Sequence, residues 1–263
     1  MKKLSFLGTA AAVASKERDN TSLILDTGRE LFLMDCPGSP VQKLSRLGID
    51  FTKISCILLS HNHPDHIYGI PSLLHSLSGI KKRIKLMGTR GTLKAVRGLI
   101  SIFRLGREKF PQLDYKSLSP GRSMVSFPCS RLRIKALKVR HSSSSVGFKF
   151  SFSGISLVYT GDTALEESGM AEMRGCDYLI HDCLAPSRFR KKVPALDREH
   201  TSALELGKFA HAVRAGCLIP IHFSTELPYQ IEDIKSEIRK NYQGRLIIPS
   251  DFLTIELISS HIP

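Results

Sequence analysis

Short apolar runs alternate with longer amphipathic stretches along the whole chain. Apolar, β-branched runs bounded by turn residues are typical of buried strands, and apolar residues recurring at helical spacing are typical of amphipathic helices. We predict strands at residues 3–8, 22–26, 31–35, 54–60, 84–87, 131–138, 145–152, 155–160, 178–181, 218–222, 245–249 and 252–258. We predict helices at residues 40–47, 68–78, 90–103, 164–173, 201–215 and 229–241. Thr201 is the predicted N-cap of the fifth helix and Gly216 its stop. Strands and helices that alternate in this way suit sheets covered by helices.

One six-residue motif concentrates histidine and aspartate at the end of a predicted strand. His61-Asn62-His63-Pro64-Asp65-His66 directly follows the strand at 54–60. Alternate residues of an extended chain share a face, so His61 and His63 can point at one spot. Pro64 forbids continuation of the strand, and the aspartate and third histidine beyond it can reach a second spot nearby. Neutral imidazole and carboxylate are ligands that Zn²⁺ and similar cations select. The motif therefore predicts a metal site, since histidine would be an unusual choice for a solvated turn.

Further motifs follow along the chain and identify a family resemblance. They are Asp35-Cys36, His141 with Gly147-Phe148, Gly161-Asp162-Thr163, Leu179-Ile180-His181-Asp182, His200-Thr201-Ser202 and Ile221-His222-Phe223-Ser224. Their order resembles the metallo-β-lactamase superfamily, and most nearly ribonuclease Z and its relatives. The resemblance implies an α+β fold, a four-layer αββα sandwich, with residues 1–263 forming a single domain.

The resemblance also implies a set of metal ligands. The implied ligands are His61, His63 and His141 for one ion, Asp65, His66 and His222 for a second, and Asp162 as a bridge between them. Imidazole and carboxylate donors without thiolate favour two Zn²⁺ ions, with Mn²⁺ or Fe²⁺ as open alternatives. Taken alone, Gly161-Asp162-Thr163 would equally suit an ordinary turn.

The implied chemistry is phosphodiester hydrolysis with a metal-bound hydroxide as nucleophile. The predicted catalytic residues are Asp65, Asp182 and His200. An imidazole held by a carboxylate is oriented and protonated more readily, so His200 could stabilise the departing oxyanion or donate a proton to it. His181, next to Asp182, should face the other side of its strand and is interpreted as structural. His75, His211 and His261 have no motif context and are interpreted as ordinary residues.

Basic charge is the main compositional feature of the chain. Its 38 Lys and Arg exceed 24 Asp and Glu, a formal net charge of +14, and such an excess attracts polyanions. Clusters lie at 81–85, 131–140 and 188–192, although a charge run is more often a solvated face than a binding site. The third cluster lies between two predicted catalytic residues, so we expect it beside the site. Its predicted substrate-binding residues are Arg188, Arg190, Lys191 and Lys192.

The substrate is less well defined than the chemistry. Many bacterial ribonuclease Z proteins carry a long tRNA-gripping arm between the motifs marked here by His141 and Asp162. Only 20 residues separate those positions, and they already suit two strands and a turn, so we expect no arm. The leading hypothesis is an endoribonuclease that processes the 3′ end of tRNA precursors. The alternative is a hydrolase of small phosphodiesters such as cyclic nucleotides; a third, an RNA-binding module with a vestigial site, fits poorly because all seven ligand positions are filled.

Cysteine usage and hydropathy indicate a cytoplasmic location. Six cysteines show no paired spacing, which suits a reducing compartment. The first 14 residues mimic a secretory signal, but cleavage after Ala14 would remove the first predicted strand. No stretch is long and apolar enough to span a membrane, and a homodimer is implied by the resemblance alone.

Overall fold

Two seven-stranded sheets packed face to face form the centre of a computed structural model that describes residues 1–259. The strands are β1 (Lys3–Gly8), β2 (Ser22–Asp26), β3 (Leu31–Met34), β4 (Ile54–Leu58), β5 (Arg83–Gly88), β6 (Gln112–Ser117), β7 (Met124–Phe127), β8 (Leu132–Leu137), β9 (Gly147–Phe152), β10 (Ile155–Tyr159), β11 (Tyr178–Asp182), β12 (Cys217–Ile221), β13 (Arg245–Leu246) and β14 (Thr254–Glu256). The helices are α1 (Pro40–Arg46), α2 (Pro64–Ile67), α3 (Ile70–Ser76), α4 (Arg90–Ile102), α5 (Glu167–Met173), α6 (Ala203–Ala212) and α7 (Ile231–Arg239), with 3-10 turns at Phe51–Lys53 and Ser187–Phe189.

The first sheet has the strand order β14-β1-β2-β3-β4-β5-β6. Its strands are antiparallel from β14 to β3 and parallel from β3 to β6. The carboxyl end of β4 therefore lies between the ends of two parallel neighbours, and the histidine motif begins just beyond it.

The second sheet has the order β13-β12-β11-β10-β9-β8-β7. Strands β7 to β10 are antiparallel, whereas β10 to β13 are parallel. The carboxyl ends of β10, β11 and β12 consequently meet at one edge, where loops can bring side chains from distant parts of the chain together.

Three apolar clusters lie between the layers and pack them together. The first lies between the two sheets and includes Phe6, Phe32, Phe148, Phe150 and Tyr159. A second joins the first sheet to α1, α3 and α4, and a third joins the other sheet to α5, α6 and α7. The layers thus run helix, sheet, sheet, helix, which confirms the expected α+β αββα sandwich.

Most predicted strands are present, but two were missed and some boundaries were wrong. The sequence pattern gave no signal for β6 or β7, because both are short edge strands in which at least half of the side chains are exposed. The strand predicted at 245–249 is only the two-residue β13, and the one at 54–60 ends at Leu58.

The start of the helix predicted at 68–78 was also wrong, because two helices occupy this part of the chain. Pro64 begins α2 inside the motif, where its fixed φ suits a first helical turn, and α3 begins after Gly69. A Cβ at Gly69 would lie 2.7 Å from the carbonyl oxygen of Cys36, so a larger residue would push these loops apart.

Thr201 is not a helix cap. The N-cap position of α6 is Ser202, and Thr201 Oγ1 instead donates to the carbonyl oxygen of Thr163 at 2.7 Å. Among residues 1–259, no helix has the length and apolar character needed to cross a membrane. His261 lies outside the described residues.

Candidate metal centre

The predicted site residues converge where the carboxyl ends of strands from both sheets meet. The motif at 61–66 follows β4, while Asp162 and His222 follow β10 and β12, and Asp182 ends β11. The loop between β8 and β9 supplies His141, and the loop between β11 and α6 supplies His200. Residues 161 positions apart in sequence are thereby placed in one cluster.

Nitrogen and oxygen atoms of these side chains form three overlapping groups, each within 4.8 Å. The groups are His61, His63, His141 and Asp162; Asp65, His66, Asp162 and His222; and Asp182, His200 and His222. The first two groups coincide with the division between two ions that the resemblance implies. They share only Asp162, which is the implied bridge.

Asp162 lies at the centre of the cluster. Its Oδ2 is 3.1 Å from His222 Nε2, 3.4 Å from His66 Nε2 and 3.7 Å from His61 Nε2. Burial opposes its ionised form, but His222 and His66 hold the pKa of this carboxyl well below its ordinary value. The negative charge at the centre of the cluster therefore persists at neutral pH.

Hydrogen bonds at the far side of three imidazole rings turn their Nε2 atoms towards Asp162. His66 Nδ1 donates to Asp35 Oδ2 at 2.9 Å, and His141 Nδ1 donates to the carbonyl oxygen of Glu199 at 3.0 Å. Ser60 Oγ donates to the same Asp35 oxygen, so the His61 Nδ1 that lies 3.0 Å from this Oγ acts as donor. Each ring with Nδ1 protonated presents an Nε2 lone pair to the cluster, as a metal ligand requires.

Several of these atoms lack a hydrogen-bond partner in the described part of the protein. Among residues 1–259, the buried Nε2 atoms of His61, His66 and His222 and Oδ1 of Asp162 accept or donate no hydrogen bond. Leaving such atoms unsatisfied costs about 1–3 kcal/mol each. A divalent cation would satisfy them together, so the donor set fits the metal that the resemblance implies.

The pKa values of the histidines divide into two sets. Burial lowers the pKa of His61 well below its ordinary value, and burial with the neighbouring His141 lowers that of His63. Burial also opposes charge on His66 and His222, but Asp162 outweighs it and raises the pKa of both. Without a cation, a proton on these two rings compensates the central carboxylate.

Asp35 supports the centre and was not predicted as a site residue. It is fully buried, adopts a φ of 54°, and accepts hydrogen bonds from Ser60, His66 and Tyr159. A non-glycine residue held in the left-handed region often marks a functional site. The available sequence signal was an aspartate at the end of a predicted strand, but only the fold shows that its partner is His66.

Asp182 and His200 are in direct contact. His200 Nδ1 donates to Asp182 Oδ2 at 2.8 Å, and the backbone N–H of Thr163 donates to the same oxygen at 2.9 Å. Burial would lower the pKa of His200, but Asp182 raises it above its ordinary value. The His200 ring stacks on His222 with centroids 5.1 Å apart. His181 lies outside the cluster, with Nδ1 bonded to the backbone of its own strand.

The basic loop between Asp182 and His200 is partly neutralised. Arg188 forms an ion pair with Asp233, and Arg190 pairs with Asp197 and Glu205. Lys191 and Lys192 are exposed, and neither has an ion pair within residues 1–259. Two of the four predicted substrate-binding residues are therefore paired with carboxylates, and two are not.

Two further features bear on the size of the substrate. Residues between His141 and Asp162 fold as the β9–β10 hairpin with a tight turn, in which Ser153 and Gly154 have φ values of 50° and 75°, so no arm projects here. A pocket of about 310 Å³ opens beside His200 and His222, lined largely by apolar side chains such as Leu184.

Comparisons with known proteins agree with this architecture. The family model described as beta-lactamase superfamily domain matches residues 22–223. Ribonuclease Z of Bradyrhizobium sp. (strain ORS 278) is 28% identical over 306 aligned positions, covering 96% of this chain and 98% of that protein. The alignment is longer than the 263-residue chain, so that relative carries residues that this chain lacks.

Solved structures show the same fold. The metallo-beta-lactamase fold protein YhfI from Bacillus subtilis superposes with a TM-score of 0.81 at 19% identity, covering 97% of this chain and 98% of that one. Human tRNase Z, short form, superposes with a TM-score of 0.78 at 23% identity, with coverage of 97% and 98%.

Proposed function

This chain belongs to the metallo-β-lactamase superfamily, and from that premise we propose that it is a metal-dependent phosphodiesterase of the ribonuclease Z kind. Its first candidate substrate is RNA with a 3′ extension, as in a tRNA precursor. The relatives named ribonuclease Z, matched over nearly their whole length, support this proposal. The observation that carries it is the pair of donor groups sharing Asp162, with inward-facing atoms that lack other partners.

We propose that the centre holds two Zn²⁺ ions, with Mn²⁺ or Fe²⁺ as alternatives. His61, His63 and His141 would hold one ion, Asp65, His66 and His222 the other, and Asp162 would contact both. Two bound cations lower the pKa of water and offset charge that builds on phosphoryl oxygens.

The side chains around the centre can then assist departure of the leaving group. Asp182 orients the His200 ring and raises its pKa, so His200 can carry a proton near neutral pH and donate it to the departing oxygen. Asp65 remains ionised, because the neighbouring His222 and His66 imidazoles hold its pKa well below its ordinary value in spite of burial. This carboxylate can accept a proton beside the reacting phosphate.

A small phosphodiester is the second candidate substrate. The β9–β10 hairpin leaves no arm for gripping tRNA, and the 310 Å³ pocket beside His200 is within the size range of small-molecule sites. Initial rates on a 3′-extended tRNA precursor, cyclic AMP and bis(p-nitrophenyl) phosphate separate the two candidates. Cleavage of cyclic AMP with no cleavage of the precursor would favour the second.

His63→Ala tests the centre itself. We expect less than two equivalents of metal per chain by elemental analysis and a loss of bis(p-nitrophenyl) phosphate hydrolysis, because one ion loses a ligand. His75→Ala is the matched control, since His75 is an exposed histidine away from the cluster. Full metal content and undiminished turnover in His63→Ala would remove the proposed centre.

A further inference from the structure

Most of the net positive charge lies in one segment of the chain. Residues 81–122 contain twelve Lys and Arg but only two Asp and Glu, a net +10 of the total +14. The segment comprises β5, α4 and β6, which form one end of the first sheet and the helix that covers it. The net positive charge is therefore concentrated in this part of the chain.

Helix α4 arranges part of this charge in a row. Arg90, Lys94 and Arg97 are exposed and are separated by four and three residues, so they lie on one face of the helix. Arg104, two residues beyond the helix end and seven after Arg97, is also exposed. The opposite face, with Val96 among its residues, packs in the core. At 1.5 Å per residue, the 13-residue helix is about 20 Å long.

The charge of this row is not neutralised. Within residues 1–259, no carboxylate forms an ion pair with any of its four basic side chains, unlike Arg188 and Arg190 in the 188–192 loop. Arg97 lies over the ring of Tyr115 on β6, with 4.2 Å from the guanidinium carbon to the ring centroid. The stacking holds this guanidinium against the surface without cancelling its charge.

The amino end of α4 is attached to the loops of the candidate metal centre. Thr89 Oγ1 and Thr92 Oγ1 donate to the carbonyl oxygen of Ser144 at 2.8 and 3.2 Å. Ser144 lies three residues after His141, and its Oγ hydrogen-bonds to Asn62, between the first two histidines of the motif. The basic row therefore starts beside the centre and extends away from it.

We propose that this row, defined as Arg90, Lys94, Arg97 and Arg104, is the surface along which the phosphate backbone of an RNA substrate lies. The inference rests on the proposed function and gives its RNA substrate a binding surface in place of the missing arm. A stacked strand advances about 3.4 Å per nucleotide, so 20 Å of helix matches roughly six nucleotides. The charge, spacing and attachment of the row complement a polyanion that leads into the centre.

A triple variant with Arg90→Gln, Lys94→Gln and Arg97→Gln tests this surface. Binding of a 3′-extended tRNA precursor is measured over a series of KCl concentrations with metal-loaded protein, in a His200→Ala background that cleaves slowly. We expect affinity near 0.1 M KCl to fall on the order of 10- to 100-fold, and the slope of log affinity against log salt to decrease by about two, since each lost phosphate contact removes about 0.7. Hydrolysis of bis(p-nitrophenyl) phosphate by the metal-loaded variant should stay within about twofold of wild type.

The matched control removes three exposed cations from the opposite side of the sandwich. Arg174→Gln, Lys235→Gln and Lys240→Gln lie at α5 and α7 and change the net charge equally. We expect this control to lower RNA affinity only slightly, because total charge acts weakly over distance in salt. The single variant Lys94→Glu gives the same test should the triple variant fold poorly.

The outcomes separate the surface from the proposed function. Unchanged RNA affinity and salt slope in the triple variant, or an equal loss in the control, would overturn the surface while leaving cleavage data untouched. Failure of the wild type to cleave the precursor would overturn the RNA-processing proposal, and the binding series would still decide whether the row binds RNA.

Discussion

Asp35 shows how one residue can set the geometry of the centre without touching substrate. Its carboxylate accepts hydrogen bonds from Ser60, His66 and Tyr159, and its backbone adopts a φ of 54°. Aspartate and asparagine adopt this left-handed region more readily than most residues, whereas alanine there costs roughly 1–2 kcal/mol. Backbone conformation and carboxylate chemistry are therefore both required at this position.

Asp35→Asn should keep the backbone and weaken metal binding. The amide nitrogen cannot accept the proton that His66 donates, so the ring loses part of its orientation and basicity. We expect metal affinity to fall by roughly 10- to 100-fold, measured by competition with a chelator. Asp35→Ala should in addition lower the free energy of unfolding, and Tyr159→Phe, which removes one donor from the same carboxylate, should have a smaller effect on metal. Wild-type metal affinity in Asp35→Asn would show that this carboxylate does not tune the ligand.

His200→Ala should slow cleavage of an RNA diester by roughly 10²–10⁴-fold, the usual effect of a positioned general acid. The loss should be much smaller with bis(p-nitrophenyl) phosphate, since p-nitrophenolate leaves without help. Adding Asp182→Ala to His200→Ala should cost little more, because the carboxylate acts through the ring it orients. Two full, independent losses in the double variant would contradict this dyad.

The sequence predicted the candidate metal ligands better than the residues that form hydrogen bonds with those ligands. Motif order was sufficient to list His61, His63 and Asp162, because such motifs keep residue type and spacing together. Asp35 lies in one of these motifs, but its role as a partner has no comparable signal, and neither Ser60 nor Glu199 has one. One of them contributes only a backbone carbonyl, and another lies more than 25 residues from its ring, so only the closed fold identifies them.

Two glycines within helices have opposite environments, so adding a methyl group at each should have opposite effects. Gly98 in α4 is exposed, and a Cβ there would meet nothing within 4 Å. Gly207 in α6 faces α7, and a Cβ there would lie 2.5 Å from the carbonyl oxygen of Ile238. Gly98 makes its helix less stable than alanine would, whereas Gly207 permits close packing of two helices.

Gly98→Ala should therefore stabilise the protein and Gly207→Ala should destabilise it. The exposed substitution gains about 0.5–1 kcal/mol of helix propensity. The buried one forces α6 from α7 and should cost roughly 1–3 kcal/mol. Urea unfolding of both variants measures the two changes against wild type. Effects of the same sign would show that helix propensity alone, and not the α6–α7 contact, governs these positions.

Strands with an apolar face towards the core were predictable from the sequence, and strands without such a face were not. Strands such as β10 are apolar along most of their length, so their burial is visible in the sequence. Strand β6 reads Gln-Leu-Asp-Tyr-Lys-Ser and exposes most of its side chains, because it lies at the edge of its sheet. Its pairing with β5 is fixed by backbone hydrogen bonds and by topology, which local composition does not report.

The whole molecule should lose stability when metal is removed. A ligand present at 1,000 times its dissociation constant stabilises the folded state by about 4 kcal/mol. For a chain of this size, this corresponds to a decrease in Tm on the order of 10 °C after chelation. Scanning calorimetry of protein dialysed with and without EDTA measures it, and Zn²⁺ added back should restore the original Tm. His63→Ala should respond less to EDTA, and an identical Tm with and without metal would mean that no ion binds the folded protein.

The position of Asp162 in both ligand groups also affects the order in which the two groups are completed during translation. A ribosome makes the chain from the amino end, so every donor of the first group exists once residue 162 has been added. The second group still lacks His222, which lies 60 residues further along. At roughly 5–20 residues per second, the nascent chain spends about 3–12 s with only one complete set of donors. During translation, therefore, the proposed first ion has its full set of ligands before the second.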